Sequence, residues 1–124
     1  MKGLRSLLLG LAAAVAFGGA VSAQGDYPNQ MVRIIVPFSA GSITDGLARI
    51  LADKLSIEWK QQVIVENRAG LAGTTFVANA PPDGYTLMLT SNGHTIAAVI
   101  NKNLQFDPVK DFAGVSRVAS VPPL

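Results

Sequence analysis

No cysteine occurs anywhere in the 124 residues, and histidine occurs once. The first absence excludes disulfides and thiolate metal sites. The second excludes any metal motif built on a pair of histidines. Charge is sparse, at 15% of residues, and Lys and Arg form no cluster that could track a phosphate backbone, so nucleic acid is not an expected partner. The catalytic signatures are also missing. Ser91 lacks the Gly-x-Ser-x-Gly elbow of a nucleophilic serine. Neither Phe38–Asp45 nor Ala69–Phe76 matches a phosphate-binding glycine loop. No pair of carboxylates is placed for acid–base work.

What is present begins with a leader. Lys2 and Arg5 precede the uncharged 15-residue run Leu7–Val21, and Val21-Ser22-Ala23 then supplies small residues. Positive, apolar, small is the order of a secretory signal peptide. The run falls short of the about 20 residues that a spanning helix needs, which disfavours the alternative of a membrane anchor. Residues 1–23 are therefore expected to be a signal peptide cleaved after Ala23, with a periplasmic product starting at Gln24. No cysteine follows the small residues, so a covalent lipid anchor is not expected. Without Lys2 and Arg5, the Lys+Arg count falls from 10 to 10 − 2 = 8 and equals the 8 Asp+Glu. The basic balance of the whole chain belongs to the leader and carries no information about partners.

The remaining residues alternate between strand and helix signals. Val32–Val36 is a β-branched run ending at Pro37 and predicts a buried strand. Ile43, Leu47, Ile50, Leu51 and Leu55 form an apolar stripe at helical spacing, predicting a helix over 43–57. Ser42 is its expected N-cap, with Asp45 three residues on. Asp45, Arg49 and Asp53 are expected on the outer side. Val63–Val65 predicts a second strand and Thr74–Ala80 a short helix entered through Gly70–Gly73. Pro81–Gly84 is a turn. Tyr85–Thr90 predicts a third strand and Thr95–Ile100 a third helix. Phe106–Pro108 is a turn, and Phe112–Ala119 is expected to hold a fourth strand. This alternation predicts an α/β layer with a mainly parallel sheet and flanking helices.

In such sheets ligands gather where strand C-termini feed helix N-termini. Three loops of small residues occupy those places: Phe38–Ser42, Ala69–Gly73 and Ser91–His94. Accessible backbone N–H groups and the positive end of a helix make a carboxylate site without Lys or Arg. The plainer reading is that small residues permit tight strand–helix turns. Asp45 fits either a pocket role or a charge favoured at a helix start. Glu66, Asn67 and Arg68 fit strand-end hydrogen bonding and a surface ion pair. Tyr85 and Phe112 fit the core. His94 fits a loop hydrogen bond better than a catalytic base, and no metal or cofactor site is expected.

The runs IIVPFSAGSITDGLARILADKL, VIVENRAGLAG, APPDGYTLMLTSNGHT, LQFDPVKDFAGVS and VASVP occur in this order. Together they resemble the Bug-type receptors, the solute-binding proteins of tripartite tricarboxylate transporters. Ser42 stands where the family pattern has a second glycine, Ala69 where it has proline, Ala72 where it has glycine, and Gly114 where it has proline. The resemblance implies a periplasmic-binding-protein-like (type II) fold of two α/β lobes. Residues 24–124 would be the front part of the first lobe, truncated, serving the membrane components of a transporter by binding small carboxylates. It places Phe38, Ser39, Ala40, Gly41, Ser42 and Asp45 in the first pocket loop. Gly70, Leu71, Ala72 and Gly73 fall in the second, and Ser91, Asn92, Gly93 and His94 in the third. Two other readings stay open at this point: an exported α/β enzyme using Ser91 and His94, and a truncated gene product with no function.

Overall fold

A computed structural model describes residues 26–120. The expected signal segment and cleavage point lie outside the described residues. The element order is β1 (Val32–Val36), α1 (Ile43–Trp59), β2 (Val63–Asn67), α2 (Leu71–Ala78), β3 (Thr86–Met88) and α3 (Gly93–Ile100). The sheet runs β2-β1-β3, and both pairings are parallel. Arg33 sits in register between Ile64 and Thr86, and Ile35 between Glu66 and Met88. The expected parallel α/β layer is present.

Alternation along β1 divides the sheet into two faces. Val32, Ile34 and Val36 form the core with Ala48 and Ala52 of α1 and Val63 of β2. Ile35 has the opposite parity and is equally buried, on the face where α2 packs against β1 and β3. Right-handed crossovers put α1 and α2 on opposite faces, because β2 and β3 flank β1 from opposite sides.

The apolar stripe of α1 is only in part the face it buries: Leu51 and Leu55 pack against the core. Ile43 and Ile50 are 87% and 62% exposed, whereas Ala48 and Ala52 are buried. A helix lying close on a sheet selects small residues at the contact, so hydropathy alone sets its inner face off-centre. Asp45 is buried as well, so it faces inward and not to the outer side as expected. It still pairs with Arg49, at 3.0 Å. The helix runs two residues past the predicted end and stops at Lys60, whose φ of 53° is left-handed.

Other boundaries move for local reasons. Helix α2 starts at Leu71, three residues before the expected start, because Gly70 makes the reversal alone at φ 73°. Helix α3 starts at Gly93 and not Thr95. Strand β3 is shorter than predicted. The fourth strand over Phe112–Ala119 does not form, and residues 113–120 are irregular and exposed. Strand propensity holds no strand without a neighbour to share its hydrogen bonds. The entry to β1 is tied down from outside: Tyr27 Oη donates to the Gly84 carbonyl at 2.7 Å, and its ring stands edge-on to Trp59.

Candidate ligand cleft at the strand C-termini

Because all three strands are parallel, the loops after β1, β2 and β3 leave the same end of the sheet. A cleft of about 210 Å³ opens there, lined by Pro37, Phe38, Gly70, Leu71, Thr74, Thr90, Gly93, His94, Ala97, Asn101 and Phe106. Of the residues singled out in the sequence, Phe38, Gly70, Leu71, Gly93 and His94 meet in this cleft. Ser39, Ala40, Gly41, Ser42, Asp45, Ala72, Gly73, Ser91 and Asn92 do not line it, and Ala72 lines a separate groove. Pro37, Thr74, Thr90, Ala97, Asn101 and Phe106 had no sequence signal as site residues. They come from two strand ends, two helix interiors, a helix end and a turn, and only the tertiary fold collects them.

The three helix starts differ in how their free N–H groups are met. At α1, Ser42 Oγ accepts from Asp45 N–H at 3.2 Å, as expected of its N-cap. Asp45 reaches back to accept from Gly41 N–H at 2.9 Å, a variant of the capping box. Its carboxylate also accepts from Arg49 and from Asn67 Nδ2. The Gly41 bond first, then those from Arg49 and Asn67, hold the Asp45 carboxyl at about 2 against an ordinary 3.8. Asn67 donates to the Phe38 carbonyl as well, so one network fixes the end of β2, the first loop and the start of α1. This start is satisfied from within.

Helices α2 and α3 have no side-chain cap. At these starts Gly70 N–H donates to the Pro37 carbonyl at 3.1 Å, Gly93 N–H to Ser91 Oγ at 3.4 Å and His94 N–H to the Ser91 carbonyl at 3.1 Å, so the Leu71 N–H is the cleft-lining amide left for a ligand, with the positive end of each dipole behind. Gly70 and Leu71 at one start, and Gly93 and His94 at the other, line the same cleft. Glycine is required beside it. A Cβ on Gly73 would collide with the Arg68 carbonyl, so the close crossing of α2 over the end of β2 depends on a missing side chain.

His94 is held by the turn that closes the cleft. Its Nε2 lies 3.0 Å from the Pro108 carbonyl, which can only accept, so Nε2 carries the proton. The ring stands edge-on to Phe112 at 4.8 Å and parallel to Phe106 at 6.4 Å. Ser91 Oγ instead accepts from Gly93 N–H at 3.4 Å, and the bond between Ser91 and His94 is a backbone one, from His94 N–H to the Ser91 carbonyl at 3.1 Å. Asp107 caps the turn from Val109 and Lys110 N–H, and these bonds lower its pKa. The cleft lining contains no Lys, Arg, Asp or Glu. The chemistry it offers is backbone N–H groups, one imidazole, a threonine pair, an amide and an apolar wall.

A doubly wound parallel layer, with loops gathered at one edge around an open cleft, is the architecture of a small-molecule-binding lobe. Residues 47–123 match the model of the tripartite tricarboxylate transporter family receptor, and the chain belongs to that family. A protein of Agrobacterium vitis from the TAR-I ttuE-ttuC' intergenic region is 41% identical over 103 residues, covering 81% of this chain and 30% of the relative. Protein BugT of Bordetella pertussis is 35% identical over 120 residues, covering 93% and 37%. Among solved structures, the periplasmic binding protein BugD superposes with a TM-score of 0.65 at 40% identity, covering 69% of this chain and 30% of BugD. MatC from Rhodopseudomonas palustris, with bound malate, superposes at 0.58 and 36% identity, covering 69% and 31%. The chain thus spans about a third of the length of the curated relatives it matches.

Proposed function

We propose that this chain contributes one wall of a periplasmic receptor that captures small carboxylates for a tripartite transporter, without catalysis. The observation that carries the reading is the convergence of two helix starts, α2 and α3, with the positive ends of their dipoles, on one cleft lined by no acidic side chain. A carboxylate there would accept N–H bonds and lie at the positive ends of two dipoles. Similar proteins support the ligand class: MatC carries malate in its structure, and Rpa4515 carries adipate. Export follows in this reading from the leader over residues 1–23, and delivery would be to the membrane components of the transporter.

One wall binds weakly. Each hydrogen bond open to water contributes about 0.5–1.5 kcal/mol net. Three or four must offset at least ~4 kcal/mol of lost ligand freedom. Since 1 mM corresponds to about −4 kcal/mol, millimolar affinity or worse is expected. Calorimetric titration with a panel of di- and tricarboxylates tests this. A saturable micromolar response from monomeric chain would show a complete binding unit and overturn the single-wall reading. Hydrolysis of a substrate panel that disappears in S91A or H94A would overturn the non-catalytic part.

A further inference from the structure

Helix α1 carries an apolar line that the sheet does not use. Ile43, Ile50 and Ile57 are 87%, 62% and 73% exposed. Each follows the last by seven residues, or two turns, so they form one seam along about 21 Å of the helix. The seam lies opposite Ala48 and Ala52, which face the core. A helix packed on a sheet ordinarily turns charged and polar residues outward. Apolar residues exposed singly are common and need no explanation, whereas a contiguous apolar line on the outer face marks a contact surface.

The spacing says what kind of partner fits. An apolar residue at every seventh position is the repeat by which one helix follows another in a left-handed pair. β-Branched residues at one seam position are those of parallel, two-stranded pairs. The flanks are complementary to each other. Asp53 and Lys54 follow Ile50 by three and four residues, so they stand on its two sides, and both are exposed. When two copies run parallel and in register, the flank with Asp53 meets the flank with Lys54 on both edges of the seam. Neither residue has an ion-pair partner among the described residues. Without Lys2 and Arg5 the charges of the chain balance, so no net charge holds two copies apart.

We infer that two copies of this chain pair through α1, parallel and in register. Ile43, Ile50 and Ile57 each pack against their counterparts, and Asp53 of one copy lies beside Lys54 of the other. No second apolar line joins the first, so the pair is weaker than a full coiled coil. One helix face, about 21 Å long and about 10 Å wide, also falls well short of the about 800 Å² per partner of a standard interface. The dimer is therefore a reversible one. It does not depend on the carboxylate reading.

The test is sedimentation velocity of the exported chain from micromolar to millimolar concentration, over which the parent should pass from monomer to dimer. I50E sets like charges against each other at the centre of the seam and should raise the dissociation constant about tenfold or more. D53K and K54D should each weaken the dimer about threefold or more, and the D53K/K54D double variant should restore it. These side chains are exposed, so circular dichroism should not change. V115E, at an exposed residue beyond α3, should dimerise as the parent does. Cysteine variants read the register directly, because the chain has no cysteine of its own. Oxidation should join I50C chains to one another. A mixture of tagged I43C and untagged I57C should give the two like pairs and no mixed pair. A parent that stays monomeric at millimolar concentration would overturn the inference. So would association that survives I50E, association lost in V99E on α3 but not in I50E, a double variant no better than its singles, or a mixed I43C–I57C product, which would mean antiparallel pairing.

Discussion

Asn67, the last residue of β2, donates from Nδ2 to Asp45 Oδ1 in the first turn of α1, at 2.9 Å across 22 residues of sequence. The bond locks a strand end to a helix start, and the same carboxylate accepts from Gly41 and Arg49. A carboxyl held at about 2 when folded, against 3.8 ordinarily, binds its proton more weakly in the folded state. Its contribution to stability is therefore full above about pH 4 and is lost as pH falls towards 2. Urea unfolding of the parent chain should weaken across that window. D45N should be less stable at pH 7 and show a flatter dependence between pH 4 and 2. Equal slopes for the two would remove Asp45 from the account.

Two glycines should respond in opposite directions. Gly73 sits under the Arg68 carbonyl with no room for a methyl group, and G73A should cost about 1–3 kcal/mol by overpacking. Gly46 lies exposed within α1 with nothing within 4 Å of a new Cβ. G46A should stabilise by roughly 0.5–1 kcal/mol through helix propensity. Denaturant midpoints of both variants check the pair.

Ser42 occupies a place where the family pattern has glycine, and its φ of −68° is one any residue adopts. The serine therefore costs no strain and adds a cap. S42A should lose about 1 kcal/mol, and S42G only a few tenths. A thermal melt in which S42G matches the loss in S42A would show that the hydroxyl bond to Asp45 N–H contributes little.

Mass spectrometry of the exported chain should give a product beginning at Gln24. That expectation rests on Lys2, Arg5, the run Leu7–Val21 and the small residues before the cut. A mature species retaining Leu7–Val21 would favour an anchor.

The strands were legible because β-branched runs such as Val32–Val36 have one good use, a buried parallel strand. The common edge of the loops was legible for the same reason, since alternation implies parallel strands and parallel strands send their loops one way. The face of α1 was legible only in part, through Leu51 and Leu55. Ile43 and Ile50 outrank Ala48 and Ala52 in hydropathy, yet the closeness of helix and sheet selects alanine. The strand expected over 112–119 failed because its pattern says nothing of a neighbour to pair with. Phe106 and Asn101 were invisible as cleft residues because only the turn after α3 brings them there. Even so, the His94 ring was read correctly as a loop donor, and its partner is the Pro108 carbonyl.

The most direct test of the central claim is an amide chemical-shift titration of the isotopically labelled chain with malate and with adipate. The account predicts shifts concentrated at the α2 and α3 starts and largest at Leu71, with half-saturation in the millimolar range or above, consistent with about −4 kcal/mol or less. Gly41 and Ser42, whose helix start is already satisfied by Asp45, should move little. Unchanged amides at the α2 and α3 starts throughout the titration, or shifts centred on Gly41 and Ser42 instead, would contradict it.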